Sequence, residues 1–225
     1  MNIKVRFENA NILVLEKPSG IVVTNEGRNE KKSIENYLAT QYNWAKNLDR
    51  SGIVHRLDKG TSGLLLIAKN EKYFRYLKKM FKNRQIYKEY EALVCGDVSF
   101  LGEIKAPLVK KNYGVWGKSQ VGIGGKEAWT VFELVKKYKY AGKRYSLVKI
   151  VLKTGRTHQI RAHFSYLGWP LVGDKQYGGE IRWLNRPFLH AKKLEFVDMN
   201  NKIIKINSEI SDDLEKILKI VEEKK

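Results

Sequence analysis

Short apolar runs separated by turn residues recur along this 225-residue chain, and they do not alternate regularly with helical stretches. That rhythm argues against a repeated βαβ winding. It implies an α+β domain whose central sheet is mixed or mostly antiparallel, with flanking helices. Strands are expected at 11–15 and 20–23 around the turn Lys17-Pro18-Ser19-Gly20, and at 53–55 and 64–68 on either side of a polar loop. Ile86 to Cys95 alternates, with Tyr90, Ala92 and Val94 on one face. Two strand pairs follow, 128–135 with 144–153 and 188–196 with 202–207. Helices are expected from the Ser33 cap through Tyr42, after Asn70 with Phe74, Leu77, Met80 and Phe81 on one face, and from Thr157 to Tyr166. A last one opens at Ser211, with Asp212 and Asp213 where the helix dipole favours acids.

A chain of this length can bury a substantial core, and no repeat or low-complexity linker divides it. The expectation is one domain over residues 1–225, split by a cleft. Lysine and arginine number 43 against 24 acids, a formal charge of +19, and such a field gathers polyanions. Ordinary lysine decoration accounts for Lys78-Lys79 and Lys224-Lys225, but not for arginines inside polar motifs. No apolar run approaches the ~20 residues of a membrane helix. In the opening stretch, Met1 to Phe7, charges alternate with apolar residues, unlike a signal peptide. The single cysteine, Cys95, sits in an apolar strand pattern and reads as a small core residue. A cytoplasmic monomer that binds no membrane is expected.

Several site types can be set aside. Gly122-Ile123-Gly124-Gly125-Lys126 lacks the spacing and the hydroxyl residue of a phosphate loop. His158 and His163 are five apart, off the helical spacing of paired metal ligands, and His55 and His190 bring no Cys/His cluster. Ser62 lies outside a nucleophile-elbow pattern. Neither a metal nor a cofactor is expected.

Three segments can carry chemistry. In His55-Arg56-Leu57-Asp58-Lys59-Gly60-Thr61-Ser62-Gly63, a carboxylate stands in a glycine-flanked loop between apolar strands, with Arg56 and Lys59 beside it. Cations there keep an aspartate ionised as nucleophile or base, although alone such an Asp is more often a turn former. In Gly155-Arg156-Thr157-His158-Gln159-Ile160-Arg161-Ala162-His163, two guanidinium forks stand at a helix start, where arginine is unhelpful unless an anion is near. In Lys88-Glu89-Tyr90-Glu91-Ala92, the tyrosine has a ring on which a base can stack, although by default it is core.

Together these segments resemble the RluA-like family of pseudouridine synthases. Glu16-Lys17-Pro18-Ser19-Gly20, Pro170-Leu171-Val172-Gly173-Asp174 and Leu189-His190-Ala191 extend the likeness over residues 7–207. The resemblance implies a pseudouridine synthase fold with a catalytic cleft, acting on uridine in tRNA or ribosomal RNA and needing no cofactor. It implies that Asp58 is the catalytic carboxylate, that Tyr90 stacks beneath the base with a hydroxyl able to move a proton, and that Arg161, rather than Arg156, pairs with Asp58. Arg56 would fill the RNA stack vacated by the flipped uridine. Lys59, Thr61, Arg156, His158 and Gln159 complete the expected RNA-binding set.

Many relatives carry a small RNA-binding domain of the S4 type ahead of the catalytic part. With a strand expected from about Phe7, none is expected here. The segment 110–125, with Trp116 among Lys110, Lys111 and Lys118, reads equally as an RNA-contacting insert or a polar hairpin. Two other classes remain: a non-catalytic RNA-binding protein on the same scaffold, and a hydrolytic nucleosidase that would release free uracil.

Overall fold

A computed structural model describes residues 3–25, 32–113, 116–179 and 181–222 of the chain. Its strands are β1 (Lys4–Glu8), β2 (Ile12–Lys17), β3 (Ser62–Ala68), β4 (Tyr87–Cys95), β5 (Gly102–Lys105), β6 (Leu108–Tyr113), β7 (Trp116–Val121), β8 (Trp129–Tyr140), β9 (Lys143–Leu152), β10 (Leu189–Val197) and β11 (Ile203–Asn207). The helices are α1 (Ile34–Gln41), α2 (Glu71–Lys82), α3 (Gln159–Tyr166) and α4 (Asp212–Glu222). The fold is α+β, with a mixed, mostly antiparallel sheet and flanking helices. The chain divides into two compact units, each discontinuous in sequence.

The first unit comprises Met1–Tyr87 and Ala191–Glu209. Its strands run β1-β2-β3-β10, with β11 beside β10. β2 pairs antiparallel with β3 over its whole length, from Ile12 opposite Ala68 to Lys17 opposite Gly63. Every residue of β3 is buried, which explains why its sequence is a continuous apolar run rather than an alternation. One face of α2 covers the sheet through Tyr73, Phe74, Leu77 and Met80, packed against Val14, Leu66, Phe196 and Ile206. Burial of that set is the unit's main stabilisation, roughly 1.5–3 kcal/mol for each fully buried side chain. Asn70 caps α2 by accepting from the Tyr73 N–H at 3.0 Å, and Ser33 caps α1 by accepting from Asn36 at 3.1 Å.

The second unit comprises Lys88–His190 and Ile210–Lys225. Here the order is β4-β9-β8-β5, all antiparallel, and β6 and β7 form a separate hairpin. The turn between β8 and β9 is made by Ala141 and Gly142, both with positive φ, as a two-residue hairpin requires. α4 lays Leu214, Ile217 and Val221 onto Leu93, Tyr145, Leu147 and Phe188. Its first turn is fixed by Arg186, which donates to both carboxylate oxygens of Asp213 at 2.6 and 2.8 Å and to Ser211 at 2.8 Å. Burial alone would raise the Asp213 pKa, but the Arg186 bonds and charge outweigh it and hold it below the usual value.

Several expectations need correction. Residues 20–23 form no strand; Val22 makes only an isolated bridge with Ser33. The same holds for 53–55, where Ile53 alone bridges to Ile67. At Val23, Ile53 and Val54 the side chains are buried, as apolar residues require, but the backbone is spent on turns. Cys95 packs against the second unit's core but is only half-buried, with burial pushing its thiol pKa up. The 110–125 segment does contain a hairpin, in strands β6 and β7. The side chain of Trp116 lies outside the described residues.

Candidate active site

The Asp58 loop lies in the first unit. Arg50, Ser51 and Gly52 all take left-handed backbone conformations, an unusual run that sharply reverses the chain. A Cβ at Gly52 would run into the Ala68 carbonyl, so only glycine permits this approach to β3. The chain then passes alongside β3, where Leu66 N–H donates to His55 Nε2 at 2.8 Å. An accepting Nε2 carries no proton, so the neutral imidazole bears its hydrogen on Nδ1. The ring also stacks on Phe81, centroids 4.5 Å apart. Leu57 is buried, while Arg56 is exposed and Asp58 partly so. The alternation of an extended loop thus turns the two polar groups away from the core.

Beyond Asp58 the loop closes in a turn, with Thr61 N–H donating to the Asp58 carbonyl at 3.0 Å. Turn forming and chemistry are therefore compatible at this residue. Lys59 is exposed, whereas Thr61 is buried. The far side of the turn is held by Glu16-Lys17-Pro18-Ser19-Gly20. Lys17 is 0% exposed, and its ammonium donates to the carbonyls of Pro18 (2.9 Å), Ile21 (2.8 Å) and Lys59 (3.3 Å). Ser19 donates to the Gly60 carbonyl at 3.0 Å, and Gly20 N–H to that of Lys59 at 2.8 Å. Gly63 closes the frame, because any Cβ there would strike the backbone of Ala191. A rigid shell of this kind lets a loop carboxylate keep one position.

Tyr90, Arg156, His158, Gln159 and Arg161 belong to the second unit. Tyr90 stands on β4 opposite Ile150 of β9 and is 7% exposed. α3 starts at Gln159 rather than Thr157, because His158 takes a left-handed conformation at its N-cap. The loop before it is organised by the Gln159 amide. Its oxygen accepts from Thr154 Oγ1 at 2.8 Å and Arg156 N–H at 2.9 Å; its nitrogen donates to the Trp129 carbonyl at 3.1 Å and Thr130 Oγ1 at 3.0 Å. With the side chain buried and all four amide positions engaged, Gln159 serves the loop rather than presenting an amide to a ligand. Arg156 donates from Nε to the Glu127 carbonyl at 2.9 Å.

The anion that the position of Arg161 demands is Asp174. Arg161 Nε and Nη2 grip the two oxygens of Asp174 at 2.6 and 2.8 Å, and Nη2 also donates to Gln176 Oε1 at 3.0 Å. Both side chains of the ion pair are buried, 10% and 1% exposed. The Tyr177 ring lies 4.7 Å from the guanidinium carbon. Nothing local in the sequence assigns a role to Asp174, Gln176 or Tyr177. The one signal beside them is the run Pro170 to Asp174, which shares the family likeness without pointing to a function.

Among the described residues, no group of three His, Cys, Asp or Glu side chains is placed to hold a metal ion. No helix there is long and apolar enough to cross a membrane.

The model of the RNA pseudouridylate synthase family matches residues 11–166. The chain belongs to that family. A ribosomal large subunit pseudouridine synthase D from Buchnera aphidicola of Acyrthosiphon pisum is 39% identical over 173 residues, covering 77% of this chain and 54% of the relative. One from Borreliella burgdorferi is 35% identical over 216 residues, covering 92% and 65%. The chain thus spans roughly half to two-thirds of the length of these two relatives. Among solved structures, human RNA pseudouridylate synthase domain containing 1 aligns with a TM-score of 0.75 at 27% identity, covering 92% of this chain and 83% of that one. The domain containing 4 protein aligns at 0.74 with 20% identity and bears on the fold alone. The pseudouridine synthase fold expected from the motifs is the fold of this chain. Both its Asp58 loop and the α3 start fall within the matched residues.

Proposed function

We propose that this chain isomerises uridine to pseudouridine within RNA, with Asp58 as the catalytic carboxylate. The single observation that carries the reading is the Asp58 loop: a partly exposed carboxylate on a turn braced by the buried Lys17, inside the residues matched to the family. The reaction breaks the N1–C1′ glycosidic bond and joins C1′ to C5 of the same uracil. N1 gains a proton and C5 loses one, so the sum is redox-neutral and consumes no water. A carboxylate serves three routes to this end: attack at C1′, addition at C6, or assistance of a glycal route. Tyr90 supplies a ring for stacking and a hydroxyl for proton movement. Arg161 pairs with Asp58 and keeps it charged where water is excluded, since an unpaired buried charge is costly.

Arg56, exposed one residue ahead of Leu57, is the side chain to fill the stack left by the flipped base. Lys59, Arg156 and His158 contact the RNA backbone, while Thr61 and Gln159 act by fixing the loops that carry them. The relatives' names point to large-subunit ribosomal RNA as the substrate class. RNA binds through the basic surface of a cytoplasmic monomer.

The test uses an unmodified large-subunit rRNA transcript labelled with tritium at uracil C5. Isomerisation must release that tritium to water, with no free uracil, and leave carbodiimide-dependent primer stops at the new pseudouridine. The wild-type chain is expected to give both signals and Asp58→Ala neither. Equal release by Asp58→Ala would remove Asp58 from the chemistry. Free labelled uracil would instead favour a hydrolytic nucleosidase, and RNA binding without either product a non-catalytic binder.

A further inference from the structure

Tyr177 follows Asp174 in a short 3-10 turn, Lys175–Tyr177, and is 4% exposed. Its hydroxyl donates to the Ser119 carbonyl at 2.8 Å and accepts from the Ser119 N–H at 3.1 Å. One side chain therefore satisfies both backbone groups of a residue in β7, as a neighbouring strand would. The same oxygen lies 3.1 Å from His158 Nδ1 at the start of α3. Because the one hydroxyl proton goes to Ser119, His158 Nδ1 must be the donor here. The ring meets two cations, Lys118 Nζ at 4.6 Å from its centroid and the Arg161 guanidinium at 4.7 Å. Each is within the range of a cation–π attraction. Tyr177 thus touches a lysine of the β6–β7 hairpin, the backbone beside that lysine, and the arginine gripped by Asp174.

We propose that Tyr177 is a positioning residue that couples the β6–β7 hairpin to Arg161. The inference rests on the reading of Arg161 as partner of Asp58. The hydroxyl anchors the hairpin, whose Lys110 and Lys111 are exposed enough to meet phosphates. The ring, with Asp174 and Gln176, sets the guanidinium. Asp174 and Gln176 engage Nε and Nη2 of Arg161 and hold the guanidinium plane in one orientation. An RNA that seats the hairpin thereby steadies the arginine through one shared ring.

Two variants separate the functions of ring and hydroxyl. Tyr177→Phe keeps the ring and loses the bonds to Ser119 and His158. Tyr177→Leu loses both. On the tritiated rRNA transcript, Tyr177→Phe is expected to raise KM about ten-fold with kcat within about two-fold, the size expected for missing hydrogen bonds. Tyr177→Leu should add a fall in kcat of about ten-fold or more as the arginine loosens. Amide exchange at Ser119 should accelerate in folded Tyr177→Phe. Wild-type KM, or equal kcat in the Phe and Leu variants, would overturn the coupling. So would equal loss of kcat in both with unchanged KM per folded molecule, since misfolding alone gives that pattern. Asp58→Ala run beside them separates the two claims: retained release there refutes the catalytic reading, whereas a KM effect confined to the Tyr177 variants still reports on the hairpin.

Discussion

A lysine with no exposure to water is the least expected residue in the Asp58 loop's frame. Lys17 survives burial because three carbonyls receive its ammonium, two from its own turn and one from Lys59. Lys17→Met would fit the stem but deprive the Pro18 and Ile21 carbonyls of their ammonium donor, while the Lys59 carbonyl keeps the Gly20 N–H. Unfolding in urea should show a loss of about 2–4 kcal/mol, and the residual folded protein should release tritium more slowly as the 58–61 turn loosens. An unchanged midpoint and rate would mean that Lys17 bears no part of the loop's order. In the sequence this residue reads as one of many lysines in a basic chain. The likeness of Glu16 to Gly20 marks it, but burial depends on where the turn at 58–61 lands. No local pattern encodes that. Asp58 itself is legible because loop, glycines and flanking cations are all local. Asp174 is not, because its partner Arg161 lies thirteen positions away on another element.

At the scale of elements, α3 is fastened to β8 by a chain of hydrogen bonds with one direction. Gln159 Nε2 donates to Thr130 Oγ1 at 3.0 Å, and Thr130 shares a hydrogen bond with His163 Nδ1 at 2.9 Å. His163 Nε2 faces the Ala106 carbonyl at 3.0 Å, and a carbonyl only accepts, so Nε2 carries the proton and Nδ1 accepts from Thr130. Burial lowers the His163 pKa below 6.5, the Ala106 bond opposing it, so the folded state holds the neutral ring. A depressed histidine contributes stability that is complete above about 6.5 and is lost as pH falls toward the lower folded-state value. Unfolding free energy should therefore decline from pH 7 to pH 5, and His163→Gln should flatten the decline. Parallel curves for the two proteins would place the acid sensitivity elsewhere. The caps at Ser33 and Asn70, the β8–β9 hairpin and α4 are all readable from the sequence, since their signals are short-range. β5 escapes a strand reading because Glu103 and Lys105 interrupt it, and the β6–β7 hairpin is only one of two readings of 110–125 because Lys110, Lys111 and Lys118 leave little apolar alternation.

At the scale of the whole molecule, the charge of +19 is a statement about encounter and salt. RNA affinity should fall linearly in log–log terms as salt rises. Replacing Lys110 and Lys111 together by Gln should reduce the slope by about 1 for each phosphate no longer neutralised. Filter binding over a range of salt concentrations would measure it, and an unaltered slope would place the phosphate-binding groups away from the hairpin.

The division of the chain also bears on synthesis. The first unit is interrupted after Tyr87 and completed only by Ala191–Glu209, and the second waits for α4. A nascent β1-β2-β3 meander therefore emerges from the ribosome about 120 residues before β10, its neighbour in the sheet, begins to be made. During that interval a wholly buried, apolar strand has one unpaired edge, the kind of surface that chaperones shield and aggregates recruit.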